Sequence, residues 1–239
     1  MENKKRGGGI PLLAKWTTDW DCTFETNWWY VIKDSPFDIN TLTSKKRYEI
    51  KKGKRFFITK KIENPASVKE ELYKCTIKSY MGWPPKYRPI VNKDQFVRRI
   101  GNLKNTDLFG AYDVDSKTLC GYAYLRDHGS YLSFPAIRTI PDFESKGVNA
   151  ALIACICENY NDRLSNGTYI VDGERNILHE TGFQEYLQKY FGFRKAYCKL
   201  HISFRPVIKY IIAILFPFRK LIQGKSSLGH KVKGILFLE

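Results

Sequence analysis

Four ionisable side chains of complementary chemistry crowd into one short run, DGERNILH, which carries Asp172, Glu174, Arg175 and His179. Transfer of an acyl group to an amine or hydroxyl needs a base to take the nucleophile's proton. It also needs donors to hold the tetrahedral oxyanion and an acid to protonate the leaving group. Asp172, Glu174 and His179 are base candidates of the right type, and the Arg175 guanidinium suits an anionic part of a substrate. An ordinary solvated polar turn explains any one of these residues equally well; their concentration is what raises the group above that reading.

A second place for chemistry is Gly147, in ESKGVNAALIACI (Glu144–Ile156), where a strand runs into a helix. The unpaired N–H groups of a helix's first turn, together with its dipole, favour a phosphate there, and glycine permits close approach of the backbone. A loop glycine before a core helix is the plain structural alternative.

The surrounding elements follow from pattern. Thr23–Ile32 is aromatic and β-branched and reads as a strand. Thr41–Arg55 reads as a short, highly basic helix ending near Gly53, followed by a strand over Arg55–Ile62. Ser67 and Glu70 form a capping box that opens a helix with Leu72 and Cys75 on one side, and Asp94–Ile100 is another short helix. Three strands come next, Leu108–Val114, Leu119–Asp127 and Tyr131–Ile140, joined by tight turns. From Gly147, residues Val148, Ala151, Leu152, Cys155 and Asn159 share one helix face. A strand over Gly167–Asp172 leads to a second capping box, Thr181 and Gln184. The helix it opens is stopped by Gly192, and Phe193–Phe204 is the last strand. The site run therefore follows a strand end, where α/β proteins gather their sites.

The order strand, strand, strand, helix, strand, helix, strand resembles that of the GNAT acyltransferases over Leu108–His201. Residues ESKGVN (Glu144–Asn149) are similar to that family's Q/R-x-x-G-x-G/A loop, which binds the pyrophosphate of coenzyme A. Glu144 stands where the family has Gln or Arg, and Asn149 where it has Gly or Ala. The stretch QEYLQKYFGFRKAY (Gln184–Tyr197) looks like the family's closing helix and turn. The resemblance implies a mixed α/β (α+β) fold, with a mainly antiparallel central sheet flanked by helices. It implies acetyl-CoA or another acyl-CoA as co-substrate, with Lys146, Gly147, Val148, Asn149, Ala150 and Arg175 around the pyrophosphate. The family's tyrosine acid falls at Gln188 here; Tyr186 and Tyr190 stand nearby, and Tyr190 is taken as the candidate acid.

The basic stretch Asn40–Ile62 resembles that of FemAB-like proteins, which pair two GNAT-like halves and act on cell-envelope precursors. That implies a partial GNAT-like, FemAB-like half over residues 1–105, a donor-binding core over 106–204 and a basic amphipathic tail over 205–239. The acceptor it implies is a small-molecule or lipid-linked sugar, and the alternative donor is an aminoacyl-tRNA.

Composition bounds the partners. Hydrophobic residues at 43% and aromatics at 15% of 239 residues exclude a disordered chain. A net charge of +16 points to an anionic partner: nucleic acid, lipid surface or phosphate-bearing small molecule. A nucleic-acid-binding protein without chemistry stays open as an alternative, although no recognised motif supports it. Six scattered cysteines read as reduced thiols, without the spacing of a zinc site, so no metal is expected. No signal peptide or membrane span is read, which places the chain in the cytoplasm. Arg194–Leu238 carries ten Lys and Arg and no acidic residue, and its apolar segment Pro206–Gln223 suits an interface-lying helix on the inner face of an anionic membrane.

Overall fold

The computed structural model describes residues 11, 13–85, 88–175 and 182–218. In chain order its strands are β1 (Leu13–Cys22), β2 (Trp28–Lys33), β3 (Phe57–Lys61), β4 (Thr106–Asp113), β5 (Leu119–Asp127), β6 (Tyr131–Thr139), β7 (Tyr169–Glu174) and β8 (Arg194–Phe204). Its helices are α1 (Ser44–Phe56), α2 (Lys69–Ser79), α3 (Lys93–Gly101), α4 (Val148–Asn159), α5 (Asn161–Ser165), α6 (Phe183–Phe191) and α7 (Pro206–Leu215). The class is the expected one, α+β with mainly antiparallel pairing. The chain divides into two compact units, the larger formed by Val31–Gly173 and Gly182–Arg194.

In the larger unit the strands lie in the order β7-β6-β5-β4-β3. β3, β4, β5 and β6 pair antiparallel, and β7 joins β6 in parallel. Parallel neighbours need a crossover, and α4 supplies it. β5 is buried from Leu119 through Leu125, so its alternation is hidden under a continuous apolar run, as in any strand covered on both faces. Tyr122 and Tyr124 of β5 join the cluster made by Leu72, Cys75, Phe96 and Ile100 of α2 and α3. On the opposite pleat Gly121 lies against Val148 of α4. α4 buries Val148, Ala150, Ala151, Leu152, Ile153, Ala154, Ile156 and Cys157, which takes more than one face. Its other side receives α1.

That packing turns on glycine. A Cβ on Gly53 would stand 2.4 Å from the carbonyl oxygen of Gly147 and 3.1 Å from the Ala151 Cβ. Gly53 therefore does not end α1, which continues to Phe56; it is the point where α1 rests on the start of α4.

Two further local expectations are corrected. Ser67 is not part of a capping box: its hydroxyl donates to the Asn64 carbonyl (2.8 Å), while the Asn64 side chain caps a 3₁₀ turn that runs into α2. The strand expected from Thr23 begins only at Trp28, because the Thr26 hydroxyl is spent on the carbonyls of Trp28 (2.6 Å) and Cys198 (2.7 Å) in a bend. Thr181, expected to cap α6, lies outside the described residues; Gly182 at φ 64° occupies the cap position.

The smaller unit contains β1, which the sequence reading missed. It pairs antiparallel with β8 from Leu13↔Phe204 to Thr18↔Lys199. Its burial alternates without a strong apolar contrast, which is why pattern alone did not reveal it. In α7 only Ile212 is buried, and Val207, Tyr210, Ile211 and Ile214 are exposed. All six cysteines are free thiols, and burial pushes Cys75 and Cys157 up to about 12.

Candidate active site

The parallel pairing of β6 with β7 is short. It runs through Tyr131↔Tyr169, Leu132↔Ile170 and Ser133↔Val171, and stops. β6 continues to Thr139 and β7 beyond Val171 without further pairing to each other, and this unpaired stretch is the β6–β7 notch. The chain leaves β6 at the open end of that notch and enters α4 through Gly147.

Asp172 is the first β7 residue past the last pair. Its carboxylate is half-buried and accepts a hydrogen bond from Gln184 Nε2 of α6 at 3.2 Å. Burial raises its pKa above the ordinary carboxylate value, and the Gln184 bond offsets part of that. Gln184 thus performs a different task from the capping one its spacing suggested. Gln188 donates to the Gln184 carbonyl (3.1 Å), one turn back along α6. Tyr190 packs its ring against Tyr186 at 4.9 Å, and burial raises the Tyr186 hydroxyl's pKa.

Gly147 takes the left-handed conformation, φ 86° and ψ 29°, and its amide donates to the Glu144 carbonyl (2.9 Å). No side chain caps the first turn of α4. Gly147, Val148 and Ala150 are buried and Asn149 is partly so, while Lys146 is exposed. The Thr139 hydroxyl lies between Asn149 Oδ1 (3.1 Å) and Glu144 Oε1 (3.4 Å), which tethers this acidic side chain beside the end of β6. The Lys146 ammonium sits over the rings of Phe56 (5.6 Å) and Phe143 (5.5 Å). The close approach that needs a glycine at 147 is therefore an approach to helix α1.

Glu174 and Arg175 belong to the smaller unit. Glu174 accepts an ion pair from Lys15 Nζ at 2.5 Å, and Arg175 stacks on the Trp29 ring at 4.8 Å. His179 lies outside the described residues. Of the four ionisable groups in the run, Asp172 is the one that belongs to the larger unit. Among the described residues no group of three or more His, Cys, Asp or Glu is placed to hold a metal, and no helix is long and apolar enough to cross a membrane.

Comparison with solved structures places this architecture. L-PGS from Bacillus licheniformis matches with a TM-score of 0.50 at 11% identity, covering 85% of this chain and 66% of that one. FemX matches with a TM-score of 0.52 at 8% identity, covering 77% and 63%. A C-terminal domain from Agrobacterium fabrum, assigned as a lysylphosphatidylglycerol synthetase, matches with a TM-score of 0.51 at 8% identity, covering 84% and 65%. The chain thus spans just under two thirds of the length of these matches. A scan of family models and a search of curated proteins return no match. At these identities the likeness is one of fold alone, the fold these three proteins have in common with this chain.

Proposed function

We propose that the chain is an acyltransferase that moves an acyl group onto an amine or hydroxyl of a sugar or cell-envelope precursor. The observation that carries this reading is the β6–β7 notch with Asp172 on its edge. The unpaired strand edges are where an extended donor would lie, and the raised carboxyl pKa brings Asp172 towards the range where a base both accepts and releases protons. In the step, the acceptor's nitrogen or oxygen attacks the acyl carbonyl and its proton passes to the Asp172 carboxylate. The bond from the carbonyl carbon to the donor's sulfur or oxygen breaks. Tyr190 is the candidate that protonates the leaving group.

Two donors remain in play. In the first, an acyl-CoA places its diphosphate at the uncapped first turn of α4, among Lys146, Gly147, Val148, Asn149 and Ala150. In the second, the donor is an aminoacyl-tRNA. The Gly53–Gly147 contact favours it, because α1 already occupies the side of Gly147 that a Cβ would fill. α1 also carries Lys45, Lys46, Arg47, Lys51, Lys52, Lys54 and Arg55 while burying only Ile50 and Gly53. The exposed apolar residues of α7 suit a working position on an anionic membrane surface in the cytoplasm.

A thermal-shift series with acetyl-CoA, longer acyl-CoAs and aminoacyl-tRNA tests the reading, since a bound donor raises the melting temperature by mass action. A shift with either donor class, followed by transfer from that donor to an amine or hydroxyl acceptor, supports it. No shift and no transfer with either class removes it.

A further inference from the structure

The other face of the larger unit's sheet holds a cavity of about 330 Å³, bounded by α2, α3, β5 and β6, with a volume suited to a small molecule. Its lining includes the guanidinium groups of Arg99 and Arg138 and contains no carboxylate. Arg138 donates to the Ile137 carbonyl (2.7 Å) and lies over the ring of Tyr80, another lining residue, and neither contact neutralises its charge.

The hydroxyls on the cavity floor can be assigned one proton at a time. The Thr76 hydroxyl donates to the Leu72 carbonyl at 2.7 Å. Its proton is thereby used, so in the 2.5 Å contact between Thr76 Oγ1 and the Tyr122 hydroxyl it is Tyr122 that donates. Next along the strand face is Tyr124, only 8% exposed, whose hydroxyl is buried without a hydrogen-bond partner among the described residues. Burial and the neighbouring Tyr122 hydroxyl hold this phenol protonated, so it is a donor beside the cavity. Native structures seldom leave a buried polar group unpaired without a reason.

The geometry points to a binding site for a phosphate-bearing small molecule, held by Arg99 and Arg138 with the Tyr124 hydroxyl as a third donor. Every assigned free group is a donor, so the ligand must bring acceptors. Two guanidinium forks match the charge of a phosphate monoester near neutral pH. Ala136 and Arg138 lie on the same half of β6 that leaves β7, so the ligand would sit behind the notch as acyl acceptor. That last role rests on the acyltransferase reading; the binding does not.

The test is calorimetric titration of the full chain with inorganic phosphate and with glycerol 3-phosphate, with co-sedimentation on anionic phospholipid vesicles as a separate arm. Saturable binding that weakens at least roughly tenfold in Arg99→Gln and in Arg138→Gln is expected. Tyr124→Phe separates the site from the fold: it should weaken binding several-fold while the melting temperature of the unliganded protein stays level or rises. Tightest binding to glycerol 3-phosphate assigns a soluble ligand, whereas vesicle binding with the same dependence on the three variants assigns a lipid headgroup. No saturable binding to any probe, or binding that all three variants retain unchanged, overturns the site. Donor-induced thermal shifts that persist in these variants show that such a failure belongs to this site alone and leaves the transfer reading standing.

Discussion

Gly53 and Gly147 meet backbone to backbone: the Cα and amide nitrogen of Gly53 would each stand 3.2 Å from a Cβ placed on Gly147. Two glycines distant in sequence are thus one packing device, the point at which α1 crosses the start of α4. The contact also defines what a mutation there reports.

Gly53→Ala should destabilise the protein by about 1–3 kcal/mol, because the new methyl meets a carbonyl oxygen that cannot move without moving α4. Gly147→Ala should cost about 1–2 kcal/mol for its left-handed backbone alone, with the α1 clash added. Chemical denaturation measures both. Loss of activity in a Gly147 variant is therefore interpretable only beside its stability, and a variant that keeps the wild-type midpoint would contradict the helix contact.

Asp172 gives a prediction with opposite signs for stability and rate. Its folded pKa is raised, so between the unfolded carboxylate value near 3.8 and the folded one the native state holds more protons. Stability through this group falls as pH rises across that window and stays reduced above it. Asp172→Asn should then match or exceed the wild-type melting temperature at pH 7, and lose that advantage near pH 4. Transfer should drop by about 10²–10⁴-fold if Asp172 is the base. An unstable variant with full activity would exclude both roles.

Arg163 and Asp127 form a two-pronged ion pair, Nη1 to Oδ2 at 2.5 Å and Nη2 to Oδ1 at 3.2 Å, and the Arg163 side chain also lowers the Asp127 pKa. A depressed carboxylate contributes stability above its unfolded pKa and loses it as pH falls through the folded one. The pair is about one third exposed, so Arg163→Gln should cost under about 1 kcal/mol at pH 7. Denaturation curves of the two proteins should converge as acid protonates Asp127.

α7 presents Val207, Tyr210, Ile211 and Ile214 to solvent, with Arg205 and Lys209 exposed close by. A chain ending at Phe204 should lose co-sedimentation with anionic vesicles, and salt should weaken the binding of the full chain, each nearby cation adding roughly 1 kcal/mol. Equal binding by both chains would leave the membrane without a partner in α7.

The sequence determined the elements whose signals are local. The strand–strand–strand–helix–strand–helix–strand order from Leu108 onward, the basic α1 and the Gly192 stop of α6 at φ 67° all follow from period, turn chemistry and a left-handed cap. It also singled out Gly147 as a point of close backbone approach, expected there for a phosphate. Only the tertiary structure decided why, since the reason is a helix about ninety residues earlier in the chain. In the same way Gln184 read as a cap until folding set it against Asp172, and Tyr122 read as a strand residue until α2 fixed the direction of its proton. Sequence spacing carries the geometry of one element; the partner across a sheet or a helix crossing comes from packing, which no local pattern encodes.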